Sequence, residues 1–225
     1  MRRLRLATIV VVTDSTPTIH QPNNHGIKQR ESRSVELLII GAGPAGATAA
    51  IHAGRRGIST LLIDAQPFPR DKTCGDGLTP RAIHQLQLLG LADSVVERYR
   101  SHGLKLHGFG GSVTAPWPES TFGTVGSAMP RREFDNFLLE CARSHSSVEF
   151  FGGVRAVSVS MSTPVGAGSG SIISGSGTVS GDAASMGTAS VAAVELSDGS
   201  WVRPKQVIVA DGVRSPIGKL LGRTW

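Results

Sequence analysis

The sequence predicts an α/β fold in which a parallel β-sheet is combined with an antiparallel β-meander. Two largely apolar runs rich in β-branched residues, 35–40 and 59–64, have the composition of buried parallel strands. The alanine-rich segment 45–55 lies between them and predicts a helix, because Pro44 precedes it and no proline interrupts it. Such a strand–helix–strand unit forms a right-handed crossover between two parallel strands.

The rest of the chain supplies further helices and the strands of the meander. Apolar side chains recur at helical spacing in residues 81–90 and 132–145, and residues 92–99 predict a shorter helix. Strands are predicted at six further runs: 104–111, 113–117, 148–151, 154–160, 191–196 and 201–210. An Asp-Gly pair at 198–199 separates the last two runs and is typical of a hairpin turn.

Composition and charge exclude several classes of protein. The chain has 225 residues, a length that suits one domain rather than several. The net charge of +6 comes mostly from residues 1–34, and aromatic residues make up only 5%. A basic face interleaved with stacking aromatics is therefore not predicted, which argues against nucleic-acid binding. Two cysteines without a CxxC pair argue against a zinc site and a disulfide framework.

Two segments differ in composition from the remainder. Residues 1–34 begin with a basic leader and a short apolar run, but no cleavage site of a signal peptide follows. We expect them to be a flexible N-terminal extension. Residues 158–190 are rich in Ser and Gly and contain one charged residue, Asp182, so we expect a disordered insertion within a hairpin. The domain proper is then predicted to span 35–225.

The turn after the first predicted strand carries the motif G-x-G-x-x-G. Its first glycine permits the tight turn, its second lets backbone N–H groups approach a pyrophosphate, and its third allows close packing of helix and sheet. The following helix directs its positive N-terminal end at the anion. An acidic residue at the end of the next strand is placed to accept hydrogen bonds from ribose hydroxyls. The candidate residues for this Rossmann-like dinucleotide site are Gly41, Gly43, Pro44, Ala45, Gly46 and Asp64. The motif alone does not distinguish FAD from NAD.

Two further segments carry a resemblance to a known family. Residues 72–81 read KTCGDGLTPR, and residues 207–215 read VIVADGVRS. Together with the GAGPAG loop, they resemble the geranylgeranyl reductase family of FAD-dependent oxidoreductases, which shares the para-hydroxybenzoate hydroxylase fold. The resemblance covers residues 35–225 except the Ser/Gly-rich segment. It implies a Rossmann-like FAD-binding domain from which the C-terminal substrate-domain portion is missing.

The resemblance also implies roles for individual residues. The glycine loop would hold the FAD pyrophosphate and Asp64 the adenosine ribose. Arg131 matches an arginine that approaches the cofactor, and Asp211 with Gly212 would run near the pyrophosphate. Cys74 lies in a loop that approaches the flavin ring and substrate, which makes it the candidate catalytic residue. The alternative for Cys74 is an inert, buried thiol.

The resemblance implies that FAD, reduced by NAD(P)H or another external reductant, saturates C=C bonds of isoprenoid chains. The substrate would be a geranylgeranyl lipid or the menaquinone side chain. We expect a cytoplasmic protein, and peripheral contact with a membrane remains open. Two alternatives also remain open: an aromatic monooxygenase of the same fold, and an inactive FAD-binding fragment. Asp76, in the same loop as Cys74, is a weaker candidate for proton handling.

Overall fold

A computed structural model describes residues 11–13, 32–162, 172–173 and 190–223. Its helices are α1 (Pro44–Gly54), α2 (Pro80–Leu88), α3 (Asp93–Val96), α4 (Arg131–Arg143) and α5 (Pro216–Leu220). Its strands are β1 (Val11–Thr13), β2 (Ser32–Ile40), β3 (Thr60–Asp64), β4 (Gly77–Leu78), β5 (Gly103–Gly108), β6 (Gly111–Pro116), β7 (Ser127–Ala128), β8 (Val148–Gly152), β9 (Ala156–Ser162), β10 (Ile172–Ile173), β11 (Ser190–Leu196) and β12 (Trp201–Val209). The chain divides into two compact units, one comprising Met1–Phe68 and Phe137–Trp225 and the other Pro69–Asn136.

The first unit is built on an eight-stranded mixed sheet. Its order is β10-β9-β11-β12-β2-β3-β8, and β1 pairs antiparallel with β12. The four neighbours β12, β2, β3 and β8 run parallel, while β9, β10 and β11 form the antiparallel part. The predicted α/β fold class, with a parallel sheet and an antiparallel meander, is confirmed.

The parallel strands are buried because both of their faces are covered. Leu38 and Ile39, which point to opposite faces of β2, are both fully buried. On one side, the small residues Ala47 and Ala50 of α1 are completely buried, and the helix contacts β2, β3 and β8. On the other side, apolar residues of the meander join those of β2 and β3 in one core, among them Val159, Val194, Leu196, Val202 and Val207.

The structure differs from the sequence expectation at the boundaries of both atypical segments. Residues 32–34, placed in the flexible extension, lie in β2 because β12 is long enough to pair with them. Residues 158–162, placed in the disordered insertion, lie in β9, where their alternating pattern pairs with β11 and Ser158 donates a hydrogen bond to Glu195 (2.9 Å). Val11–Thr13 and Ile172–Ile173 are also strands. The remaining parts of both segments, 1–10, 14–31, 163–171 and 174–189, lie outside the described residues.

The second unit contains two small antiparallel sheets and the helices α2 and α3. The hydroxyl of Thr79 accepts a hydrogen bond from the Ala82 N–H (3.4 Å) and caps α2, which buries Ile83 and Leu86. Strands β4 and β7 pair with each other, and β5 and β6 form a hairpin. Helix α4 begins in this unit and ends in the first one. Among the described residues, no helix has both the length and the apolar composition needed to cross a bilayer.

Candidate cofactor site

Three loops of the first unit meet where neighbouring parallel strands end. Ile40 at the end of β2 is in register with Val209 of β12 on one side and with Ile63 of β3 on the other. The loops that follow therefore leave the sheet at the same edge, which is where α/β sheets bind their ligands. A cleft of about 360 Å³ opens there, and Gly41, Asp64 and Asp211 are among its lining residues.

The first glycine of the motif lies against the segment that ends β12. Gly41 has a φ of +101°, and a Cβ at this position would lie 2.5 Å from the Ala210 carbonyl oxygen. Backbone hydrogen bonds connect the loops further, from the Gly41 N–H to the Ile63 carbonyl and from the Ala210 N–H to the Ile40 carbonyl (both 2.7 Å). The close approach leaves no room for a side chain at position 41.

The N-terminal end of α1 is open to a ligand. Gly43 occupies the N-cap position in an extended conformation (φ −67°, ψ −177°), and no side chain caps the helix. Pro44 begins the helix, where its missing N–H removes no hydrogen bond. Ala45 is exposed, whereas Gly46 is buried. A Cβ at position 46 would collide with the Gly41 carbonyl, so the close packing there requires glycine. Backbone N–H groups and the helix dipole therefore favour an anion at this end.

The carboxylate of Asp64 helps to shape the glycine loop. It is 8% exposed, and its Oδ2 accepts a hydrogen bond from the Ala42 N–H (2.8 Å). Its Oδ1 accepts a second one from the Gln66 N–H (2.9 Å). A carboxylate oxygen can accept more than one hydrogen bond, so Asp64 is able to accept one from a ribose hydroxyl while it holds the loop. Its predicted contact with the adenosine ribose stays a prediction.

The Asp-Gly pair that follows β12 forms the turn into α5. Oδ2 of Asp211 accepts a hydrogen bond from the Ile217 N–H (3.4 Å), and the Ser215 hydroxyl caps the helix at the Gly218 N–H (2.7 Å). Gly212 has a φ of +95°, a conformation that favours glycine. Asp211 thus anchors the turn against which the glycine loop packs, and its contact with a pyrophosphate stays a prediction.

These features fit a dinucleotide cofactor. The cleft combines an uncapped helix N-terminus, a glycine loop that excludes side chains and a buried acid one strand further along the sheet edge. The first two suit a pyrophosphate, and the acid suits a ribose. Within the described ranges, no group of His, Cys, Asp and Glu side chains has the arrangement of a metal site.

The other predicted residues lie in the second unit, around a buried carboxylate. Asp135 is 1% exposed and accepts two hydrogen bonds from Arg131, at 2.9 Å from Nε and 3.0 Å from Nη2. Arg70 approaches the same carboxylate to 3.2 Å. The carboxylate of Asp135 raises the pKa of the Arg131 guanidinium, and Cys74 contributes to the rise. The predicted approach of Arg131 to the cofactor stays a prediction.

The loop that contains Cys74 and Asp76 is tied to the start of α4. Oδ1 of Asp76 accepts a hydrogen bond from the Arg131 N–H, and its backbone carbonyl accepts one from the Met129 N–H (both 3.0 Å). Asp76 therefore supports the loop and caps the helix, a structural role that the sequence did not indicate. Cys74 is exposed, in contrast to the buried thiol of the alternative interpretation, and lies beside Arg131.

Sequence reasoning missed two residues that the structure brings forward. Asp135 was not assigned a role, although its position four residues after Arg131 on a helix allows an ion pair. Arg155 lines the cofactor cleft, and the only signal for it was its place just after the third parallel strand, β8.

Comparison with known proteins identifies the family. A family model described as FAD binding domain matches residues 34–224. The chain belongs to the FAD binding domain family. The resemblance to flavoprotein oxidoreductases that the motifs indicated is confirmed, and so is FAD as the cofactor of the family.

Individual relatives of this FAD binding domain chain include reductases and a monooxygenase. The menaquinone reductase of Mycolicibacterium smegmatis is 41% identical over 190 residues, which are 84% of this chain and 40% of the relative. A geranylgeranyl bacteriochlorophyll reductase-like protein from Thermoplasma acidophilum has a similar fold, with a TM-score of 0.61 at 23% identity over 86% of this chain and 43% of that one. PqsL from Pseudomonas aeruginosa, a probable FAD-dependent monooxygenase, also has a TM-score of 0.61, at 22% identity over 86% and 47%. The chain spans about 40% of the length of the curated menaquinone reductase that it matches.

Proposed function

We propose that this chain is the FAD-binding part of an oxidoreductase that reduces C=C bonds of isoprenoid chains. The substrate would be a geranylgeranyl lipid or, more specifically, the side chain of menaquinone. The observation that carries the proposal is the similarity to menaquinone reductase, which extends over 84% of the chain. The glycine-loop cleft supports it, because it offers a site for the cofactor that such a reaction needs.

The residues of the first unit would bind and orient the cofactor. The open N-terminal end of α1 would hold the pyrophosphate, and Asp64 would accept a hydrogen bond from a ribose hydroxyl. The close contact between Gly41 and Ala210 keeps the loop in the conformation that admits the pyrophosphate. Bound FAD supplies hydride transfer, which no amino-acid side chain provides.

Residues of the second unit are the candidates for the chemistry on the substrate. Asp135 holds the Arg131 side chain in one orientation. The backbone N–H of Arg131 donates a hydrogen bond to Asp76, which holds the loop that contains Cys74 and Asp76. Cys74 is exposed beside the Arg131 guanidinium. We assign to its thiol the delivery of a proton to the carbon that does not receive the hydride.

The test is a single-turnover experiment on flavin-loaded chain under anaerobic conditions. The flavin is reduced with dithionite, the excess reductant is removed, and menaquinone is added while the visible absorbance of oxidised flavin is recorded. We expect the absorbance to return and mass spectrometry to show menaquinone that has gained H₂ in its side chain. Cys74→Ser should slow the return by about a hundredfold, a typical contribution of a general acid, whereas Cys141→Ser serves as the matched control.

Two outcomes would favour the alternatives over isoprenoid reduction by this chain. Return of the absorbance only in the presence of oxygen, with hydroxylation of an added aromatic acid, would favour the monooxygenase alternative, which the fold of PqsL accommodates. Stoichiometric flavin binding without reaction with either substrate would favour an FAD-binding chain that is inactive by itself.

A further inference from the structure

We propose that Arg155 is a binding residue for the adenosine half of FAD. It lines the cofactor cleft together with Asp64 and Gly41, and it was not among the residues that the sequence motifs indicated. The inference rests on the FAD site of the first unit and is independent of the substrate that the flavin reduces.

The backbone around Arg155 is fixed from both sides. The preceding Val154 N–H donates a hydrogen bond to the Asp64 carbonyl (2.9 Å), which places this segment beside the acid of the cleft. The Arg155 N–H donates to the Ser197 hydroxyl (3.0 Å), and its carbonyl accepts from the Ser197 N–H (2.8 Å). The side chain therefore projects from an ordered segment at the edge of the sheet.

Arg155 is the only cation among the described residues that line this cleft. The two acids of the lining, Asp64 and Asp211, already accept hydrogen bonds from backbone N–H groups. Within the described part of the chain, the Arg155 guanidinium is exposed and makes no ion pair or hydrogen bond. A guanidinium in this situation is free to interact with a ligand.

The order of the strands indicates which part of the cofactor Arg155 meets. The glycine loop follows β2, Asp64 ends the neighbouring β3, and Arg155 follows β8, which pairs with the far side of β3. A cofactor whose pyrophosphate lies at the glycine loop and whose ribose lies at Asp64 therefore extends its adenine toward Arg155. A guanidinium is planar and stacks on flat aromatic rings such as adenine.

The test compares ligands that contain adenosine with one that does not. FAD, ADP and FMN are titrated into the unmodified chain and into Arg155→Ala by isothermal titration calorimetry. We expect affinity for FAD and ADP to fall by the same factor, about three- to tenfold for a partly exposed cation–π contact, and affinity for FMN to be unchanged. Arg143→Ala is the matched control, because Arg143 is an exposed arginine of the same unit that pairs with Glu140.

Several results would overturn the inference. Equal losses for FMN and ADP would place Arg155 at a phosphate, and unchanged affinity for FAD and ADP would remove it from the site. If Arg155→Ala lost more affinity for ADP phosphorylated on its ribose than for ADP itself, Arg155 would be assigned to that added phosphate instead. Failure of the unmodified chain to bind either FAD or ADP would refute the site itself. Arg155→Gln, checked by circular dichroism, replaces the alanine variant if that one fails to fold.

Discussion

Replacing Gly41 by alanine tests a close backbone contact of the candidate cofactor site. The added methyl group would meet three backbone atoms of the segment after β12: the Ala210 oxygen at 2.5 Å, the Ala210 carbon at 2.7 Å and the Asp211 Cα at 2.8 Å. All three belong to backbone, so no side chain can rotate away. The residue must also keep a φ of +101°, which an L-residue with a Cβ rarely adopts.

The two contributions can be estimated separately. Holding a residue other than glycine in a sparsely populated backbone region costs about 1–3 kcal/mol. Forcing an extra methyl group into a well-packed site costs another ~1–3 kcal/mol. The free energy of unfolding of Gly41→Ala should therefore fall by about 2–6 kcal/mol, a large fraction of the stability of an ordinary domain.

Gly57→Ala separates backbone conformation from crowding. Gly57 also has a positive φ (+66°), but a Cβ there would have nothing within 4 Å, so only the conformational cost remains. We expect this control to lose about 1 kcal/mol, because alanine also reduces the entropy of the unfolded chain. Urea unfolding followed by circular dichroism measures both variants. Equal losses in Gly41→Ala and Gly57→Ala would refute the close contact between the glycine loop and residues 210–211.

Three further changes have definite expected outcomes. Gly43→Val should abolish FAD binding in a fluorescence titration while the chain remains folded, because the branched side chain occupies the path of the pyrophosphate. Unchanged affinity of this variant for FAD would contradict the assignment of the glycine loop to the pyrophosphate. Asp135→Asn should lower the free energy of unfolding by about 3–5 kcal/mol because it breaks a buried ion pair, whereas Glu133→Gln, at an exposed pair, should cost less than ~1 kcal/mol. Burial, and to a smaller extent the charge of Glu140, raises the pKa of the Cys141 thiol above its ordinary value of 9.0. Alkylation of Cys141 should therefore be slow at neutral pH and accelerate as the pH rises through and above 9.0. Mass spectrometry distinguishes it from exposed Cys74, and a pH-independent rate at Cys141 would contradict the burial.

Local signals were sufficient wherever the residues that define an element are close in sequence. The strand, glycine loop, helix and second strand of residues 35–64 were predicted to within a residue, because an apolar run, a proline at the first helical position and small residues each act locally. Helix α4 was also predicted from a local signal, the helical spacing of its apolar residues, with its start one residue late and its end two residues late. The last two residues of β9, 161–162, were missed as strand, because the Ser-rich composition predicts a loop and these residues gain partners only when β11 pairs with them.

The sequence by itself determined the fold class, the glycine loop and the choice of a dinucleotide cofactor. Each depends on hydrophobic periodicity or on glycine spacing, which are properties of short segments. Only the tertiary structure decided that Gly41 touches Ala210, that Asp135 is buried between two arginines, and that Arg155 lines the cofactor cleft. Gly41 is distant in sequence from Ala210, Arg155 is distant from the glycine loop, and Arg70 is distant from Asp135. Such contacts arise from strand order and register, which bring together residues that no local pattern connects.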